Sequence, residues 1–189
     1  MSNEDWTKKN ELLDELVDQV KSGNHEAFGQ VYDILAKPLY RYISFRMPED
    51  EREDLLEGVF LKVWENLKKY KKQQNGFSAW VFRIAHNLIA DFYRSRKMDL
   101  VELDFEIADE ERTHSPVRFT QNSLHAEALG NALKKLTPIY RQIIVLKFIN
   151  ELSNKELTEI LGKTEGALRI LQFRALKSLR QILEKMQRE

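Results

Sequence analysis

The sequence predicts an all-α protein: two small helical domains joined by an acidic linker, the C-terminal one containing a helix-turn-helix. Three observations lead there. Apolar residues recur at three- and four-residue intervals along most of the chain, the spacing of one helix face. Glycine and proline, the residues that break helices, number only 7 and 4 among 189 residues. One stretch, DLVELDFEIADEE from Asp99 to Glu111, has seven acidic residues and no basic one, and it separates two blocks of helical pattern.

Composition sets the outer bounds. Hydrophobic residues make up 42% of the chain, enough for a folded core. Thirty Lys+Arg balance thirty Asp+Glu, so only the distribution of charge can point to a nucleic-acid partner. The absence of cysteine excludes disulfides and thiolate ligands and fits a reducing cytoplasm. The start, MSNEDWTKKNELLDEL, lacks the apolar core of a signal peptide, and no apolar run is long enough to cross a bilayer. The expectation is a cytoplasmic protein without membrane insertion. His25, His86, His114 and His125 have no metal-ligand spacing, and there is no P-loop or G-x-S-x-G. No enzyme activity, metal or cofactor is expected.

Within 1–97 the pattern predicts four helices. Leu12, Leu13, Leu16, Val17 and Val20 mark the first, and Ser22-Gly23-Asn24 ends it. Phe28, Val31, Tyr32 and Leu35 mark the second, with a kink or fresh start at Pro38 before Leu39, Tyr42 and Ile43. Acidic residues from Glu49 to Asp54 suit the positive end of a third, whose stripe is Leu55, Leu56, Val59, Phe60, Val63, Trp64 and Leu67. A basic, polar loop from Lys68 to Gly76 precedes a fourth, from about Ser78 to Lys97. Trp80, Ile84, Leu88, Ile89 and Phe92 are expected on its buried side. Arg83, His86, Asn87, Arg94 and Lys97 project opposite, bordered by Phe82 and Tyr93. With Lys71, Lys72, Gln73, Gln74 and Asn75 of the loop, this face combines charge, amides and aromatics suited to single-stranded nucleic acid. Aromatics at helical spacing equally suit a core.

Met98 to Ser123 reads as the linker, and its acidic part can be a spacer or a mimic of a nucleic-acid backbone. The second domain, 124–189, begins with Leu129, Leu133 and Leu136. Thr137-Pro138 then starts a largely apolar helix through Ile139, Ile143, Val145, Leu146 and Phe148. Ser153 and Glu156 form a capping box ahead of Leu157, Ile160 and Leu161. Gly162 suits the positive φ of a helix end, and Thr164 caps a longer helix. Leu168, Leu171, Ala175, Leu179 and Leu183 share one face of it; Arg169, Ile170, Phe173, Arg174, Lys177 and Arg180 lie opposite. From Gly166 to Arg180 there are four basic residues and no acidic one. Short helix, glycine turn and long helix is the layout of a DNA-binding helix-turn-helix, and also of an ordinary helical hairpin. The basic face with Phe173, and Gly166 in the first turn, favour duplex DNA.

Two blocks carry a family resemblance. EREDLLEGVFLKVWENLKKY (Glu51 to Tyr70) followed by FSAWVFRIAHNLIADFYRSRK (Phe77 to Lys97) resembles the second domain of bacterial sigma factors of the extracytoplasmic-function (ECF) group. ALKKLTPIYRQIIVLKFINELSNKELTEILGKTEGALRILQFRAL (Ala132 to Leu176) resembles their fourth. The resemblance implies a subunit that directs RNA polymerase core to promoters and assists melting. Asp54, Glu57, Lys62 and Trp64 would meet the clamp helices of the largest polymerase subunit, and the flap would be a second contact. Lys71, Lys72, Asn75, Arg83, His86, Asn87 and Arg94 would hold the melted minus-ten element. Lys163, Thr164, Arg169, Ile170, Phe173, Arg174 and Lys177 would bind the minus-thirty-five element, with Lys163, Lys177 and Arg180 toward phosphates. An anti-sigma factor is an implied partner. The competing reading is a helix-turn-helix repressor or activator that works without being a polymerase subunit.

Overall fold

The computed structural model describes residues 3–72, 75–96 and 122–187. Residues 98–121 of the expected 98–123 linker, together with Gln73, Gln74 and Lys97, lie outside the described residues, while its last two, Asn122 and Ser123, already belong to a helix. Among those described there are eight α-helices and no strand.

Helix α1 (Asn3–Lys21) buries Leu13, Leu16, Val17 and Val20, whereas Leu12 points to solvent. Helix α2 (Ala27–Ser44) runs unbroken through Pro38, so the expected fresh start does not occur. Its face of Val31, Leu35, Leu39, Tyr42 and Ile43 is buried on both sides of the proline, and that packing offsets the lost hydrogen bond. A 3-10 turn of three acidic residues (Glu49–Glu51) leads into α3 (Arg52–Asn66), which buries Leu56, Val59, Phe60 and Val63. A second 3-10 turn (Leu67–Lys69) and the buried Tyr70 lead on to α4.

Helix α4 (Gly76–Ser95) buries Ile89 as expected, but the rest of its deepest face differs from the one expected. Phe77, Val81, Phe82, Ala85, Ile89 and Tyr93 are buried, while Trp80, Ile84, Leu88 and Phe92 are half-buried. Phe82 and Tyr93 are therefore core residues rather than a border to the polar face. Helix α4 packs against α1, α3 and α7, and the neighbours on opposite sides decide which of its many apolar residues lie deepest.

The C-terminal domain comprises α5 (Asn122–Lys134), α6 (Pro138–Ile144), α7 (Asn154–Leu161) and α8 (Glu165–Met186). Arg141 of α6 donates to the carbonyls of Leu133 (2.9 Å), Lys134 (2.6 Å) and Leu136 (3.3 Å). It thereby satisfies acceptors that the end of α5 leaves open. A π-helical turn, Val145–Ile149, extends α6 and leaves Phe148 exposed, not central. The Ser153–Glu156 capping box is complete, Gly162 has φ 61°, and the Thr164 hydroxyl accepts from Ala167 N–H. Leu168 and Ala175 are buried under α8, with Leu171 and Leu179 packed beside them.

The two domains pack directly on one another through a polar junction. Asn10 of α1 accepts from Ser78 N–H (2.9 Å) through Oδ1 and donates to Glu156 Oε1 (3.3 Å) through Nδ2. It acts as the N-terminal cap of α4, since Asn75 makes no capping bond there. Ser78 Oγ also donates to Glu156 Oε1 (3.2 Å), Asn75 donates to Glu159 (2.9 Å), and Trp6 Nε1 donates to the Asn150 carbonyl (2.6 Å).

Gly76 makes this junction possible. Its φ is +78°, and a Cβ there would overlap the Asn10 amide. Gly76→Ala is expected to lower unfolding free energy by about 1–3 kcal/mol, read as a shift in the urea midpoint. An unchanged midpoint would contradict this packing.

Candidate nucleic-acid interface

Three surfaces carry the candidate residues. The first is the outer face of α8. Ile170 is 55% and Phe173 69% exposed, apolar groups held in water beside Arg169, Arg174 and Lys177. Arg169 lies 3.6 Å from Glu165 and Arg180 2.8 Å from Glu184, so the helix's own carboxylates flank the basic stretch. Lys163 is exposed in the turn, and Thr164 spends its hydroxyl on the cap. A Cβ on Gly166 would meet nothing within 4 Å. The free fold does not need glycine at that point, which leaves the exposed first turn open to a ligand's backbone.

The second surface is an open groove between α3 and α4, lined by Lys62, Asn66, Lys69, Trp80, Asn87 and Leu88. It offers an indole edge, two amides and two cations in one trough, together with the Asp91 carboxylate, which Arg94 pairs. Arg83 and Arg94 are exposed on α4 with Asn87, and Arg94 pairs with Asp91 at 2.7 Å. The remaining strand-binding candidates lie elsewhere. Lys71 is exposed, Lys72 pairs with Asp14 at 3.2 Å, and Asn75 is engaged by Glu159. His86 turns toward the C-terminal domain, with Gln142 Nε2 at 2.7 Å from its Nδ1 and Tyr42 Oη at 3.3 Å. Pattern reasoning passed over Asn66 and Lys69 because they follow the apolar stripe of α3, and it assigned Trp80 to the core.

The third surface is the solvent side of α3. Asp54, Glu57, Lys62 and Trp64 are all exposed there, and Lys62 pairs with Glu65 at 3.2 Å. Trp64 is braced by Phe28 and His25, with ring centroids 5.0 and 5.4 Å away. Leu61, 57% exposed, and Tyr32, 42% exposed, add apolar area that was not anticipated. The signal was present: Leu61 falls off the buried stripe of α3, and a leucine without a core to enter marks a surface.

Each of the two helical domains matches a known family. The family model for Sigma-70 region 2 matches residues 31–98, and that for Sigma-70, region 4 matches residues 126–179. The ECF RNA polymerase sigma factor SigW of Bacillus subtilis is 31% identical over 184 residues, covering 91% of this chain and 97% of SigW. The chain belongs to the ECF RNA polymerase sigma factors. BldN of Streptomyces coelicolor, also an ECF sigma factor, is 34% identical over 171 residues, 89% of this chain and 65% of BldN. The structure of CnrH in complex with the cytosolic domain of CnrY superposes with a TM-score of 0.67 at 27% identity, covering 90% of this chain and 96% of CnrH.

In this sigma factor the titration of His86 is displaced into the acid range. His86 is lowered from 6.5 to about 4, by burial first and then by the charges of Arg46 and Arg83. The geometry agrees, because an amide N–H from Gln142 needs an unprotonated Nδ1 to accept it. In the unfolded chain the imidazole takes up a proton below about 6.5, whereas in the folded chain it resists protonation until about 4. The contribution of His86 to folded-state stability is therefore expected to be constant above neutrality and to fall as pH drops through that window. Urea unfolding at about pH 7.5 and about pH 5 measures it, and His86→Gln should flatten the difference. The same pH dependence in that variant would contradict the role given to His86.

Proposed function

We propose that this sigma factor reads promoters through two separate surfaces, duplex by α8 and melted strand by the α3–α4 groove, while the outer side of α3 docks on polymerase. As a sigma factor it directs RNA polymerase core to promoters and takes part in initiation. Its own contribution is binding rather than catalysis, and its place of work is the cytoplasm, with the polymerase and the DNA. The observation that carries the reading is the presence, on one chain, of two binding surfaces with different chemistry.

Helix α8 offers what a major groove accepts. Arg169 and Arg174 suit bidentate contact with guanine, and Ile170 and Phe173 suit thymine methyl groups. Lys163, Lys177 and Arg180 suit phosphates, and the Thr164 cap fixes the angle at which the helix enters. The α3–α4 groove offers what an unstacked base accepts: the Trp80 indole for stacking, Asn66 and Asn87 for base edges, Lys62 and Lys69 for the backbone. Arg83 and Arg94 continue that track, whereas Lys71, Lys72, Asn75 and His86 lie outside the groove.

On α3, the carboxylates of Asp54 and Glu57 beside Leu61 and Trp64 form an acidic and apolar surface. Such a surface suits basic helices with exposed apolar residues, the chemistry expected of the clamp helices; the flap is the proposed contact of the C-terminal domain. An anti-sigma factor is a proposed further partner, as CnrH is held by the cytosolic domain of CnrY. A repressor acting without polymerase has no use for the α3 surface or a strand-binding groove.

Reconstitution with core polymerase on a promoter template tests the whole reading, and the absence of any promoter-dependent transcript would sink it. Two variant series test its parts. Arg174→Ala should reduce discrimination between promoter and random duplex by about 1–3 kcal/mol. Lys177→Ala should weaken both alike and lower the salt slope by about 1. Equal loss on both sequences for Arg174→Ala would remove it from the base edges. Leu61→Ala should weaken binding to core polymerase by about 1 kcal/mol or more, leaving the urea midpoint in place because the side chain is already in water. Unchanged affinity for core would move the docking surface elsewhere.

A further inference from the structure

We propose that Asp14 of α1 is a positioning residue for the strand-binding groove: one of its oxygens braces the wall behind Trp80, and the other holds Lys72 away from the strand. The inference rests on the role proposed for the α3–α4 groove.

The brace begins on one face of α1. Asn10, Asp14 and Lys21 are spaced four and seven residues apart, which puts them on one side of the helix. That side faces the chain between α3 and α4. Lys21 donates to the Tyr70 carbonyl at 2.7 Å, and Asn10 accepts from Ser78 N–H at 2.9 Å. Asp14, between them, is buried. Its Oδ1 accepts from Tyr70 Oη at 3.1 Å, and its Oδ2 lies 3.2 Å from Lys72 Nζ. A buried phenol needs a partner for its hydroxyl and a buried carboxylate needs donors, so each fixes the other. The Tyr70 ring in turn backs the indole. Ring centroids of Tyr70 and Trp80 are 5.1 Å apart, and Phe77 lies 4.9 Å from Tyr70 and 5.4 Å from Trp80. Tyr70 and Trp80 both line the groove. Contact therefore runs unbroken from the Asp14 carboxylate to the ring proposed to stack on a base.

The second oxygen acts on charge. The Lys72 side chain is 72% exposed and that of Asp14 only 7%. An ion pair between two exposed groups is worth little, and a lysine held that way would swing freely to a phosphate. Here the acid is out of water. Its field on the ammonium is stronger there, and its Oδ2 would lose its donor if the lysine departed. Lys72 is thus held outside the groove, while Lys62 and Lys69 line it and remain for the backbone. A lysine on a phosphate strengthens binding to every strand alike and selects none. Holding Lys72 back lowers the sequence-independent share of binding, and bracing Tyr70 favours the share that comes from stacking. Asp14 itself touches no DNA in this arrangement; it acts through Tyr70 and Lys72.

Fluorescence anisotropy on the whole chain separates the two actions. The probes are a single strand carrying the minus-ten element, a scrambled strand of equal length, and duplex carrying the minus-thirty-five element. Asp14→Asn keeps an oxygen for Tyr70 and discharges the pair with Lys72. It should strengthen binding to both single strands at least about threefold at low salt and steepen the slope of log K against log salt by about 0.7, leaving the preference between strands in place. Adding Lys72→Met to it should return the slope to that of the unaltered chain. Tyr70→Phe removes the hydroxyl and keeps the ring; it should lower the minus-ten preference at least about threefold with the slope unchanged. Duplex binding should stay within about twofold throughout, which a general loss of folding would not allow. An unchanged slope in Asp14→Asn, or a double variant with a flatter slope than the unaltered chain, would overturn the withholding of Lys72. An unchanged preference in Tyr70→Phe would overturn the brace. An unaltered chain that held neither single strand, or both equally, would remove the groove as the strand-binding site, and the role of Asp14 with it.

Discussion

The buried carboxylate of Glu156 is the point on which the arrangement depends. An ionised carboxylate removed from water needs donors on its lone pairs, or its burial costs several kcal/mol. Here Oε2 accepts from Ser153 N–H at 2.6 Å and so closes the cap of α7. Oε1 faces the other domain and takes Ser78 and Asn10. Asn10 in turn caps α4, and Gly76 leaves the space for it. One acid therefore ends α7, anchors α1 and fixes where α4 begins. Each partner is satisfied only while the other two stay in place, which makes the junction cooperative rather than a sum of contacts.

Much of this was legible where the cause is local. The capping box, Gly162 and Thr164 are signals within a few residues of one another, and the helix-turn-helix they predict is the one observed. The buried stripes of α1 and α3 followed from periodicity because each helix has one apolar side. Helix α4 was misjudged because apolar residues surround it. Projection cannot say whether Trp80, Ile84 and Leu88 or Phe82, Ala85 and Tyr93 lie deeper when α1, α3 and α7 press from different directions. Pro38 misled for a related reason: the local cost was visible, whereas the burial of Leu35 and Leu39 on either side of it was not.

The candidate surfaces divide in the same way. The face of α8 was legible because arginines and an unburied phenylalanine on one side of a leucine-faced helix are a local pattern. The surroundings of His86 and Asn75 were not, since Gln142 and Glu159 come from far along the chain. Grouping by helix face placed His86 with Arg83 and Asn87; tertiary packing separates them, sending His86 to the junction and the other two to solvent. Leu61 shows the value of asking why an apolar residue fails to fit a stripe.

The exposed Ile170, Phe173 and Leu176 give α8 a thermodynamic character beyond its charge. Arginine and lysine contacts draw on counterion release and fade as salt rises. Apolar groups leaving water contribute a term that salt does not screen, and they carry a negative heat-capacity change. The duplex recognition proposed for this helix should therefore change its enthalpic and entropic balance with temperature and retain a salt-insensitive remainder. A protein of zero net charge, with no broad electrostatic pull toward DNA, would keep part of its grip on the promoter in that remainder.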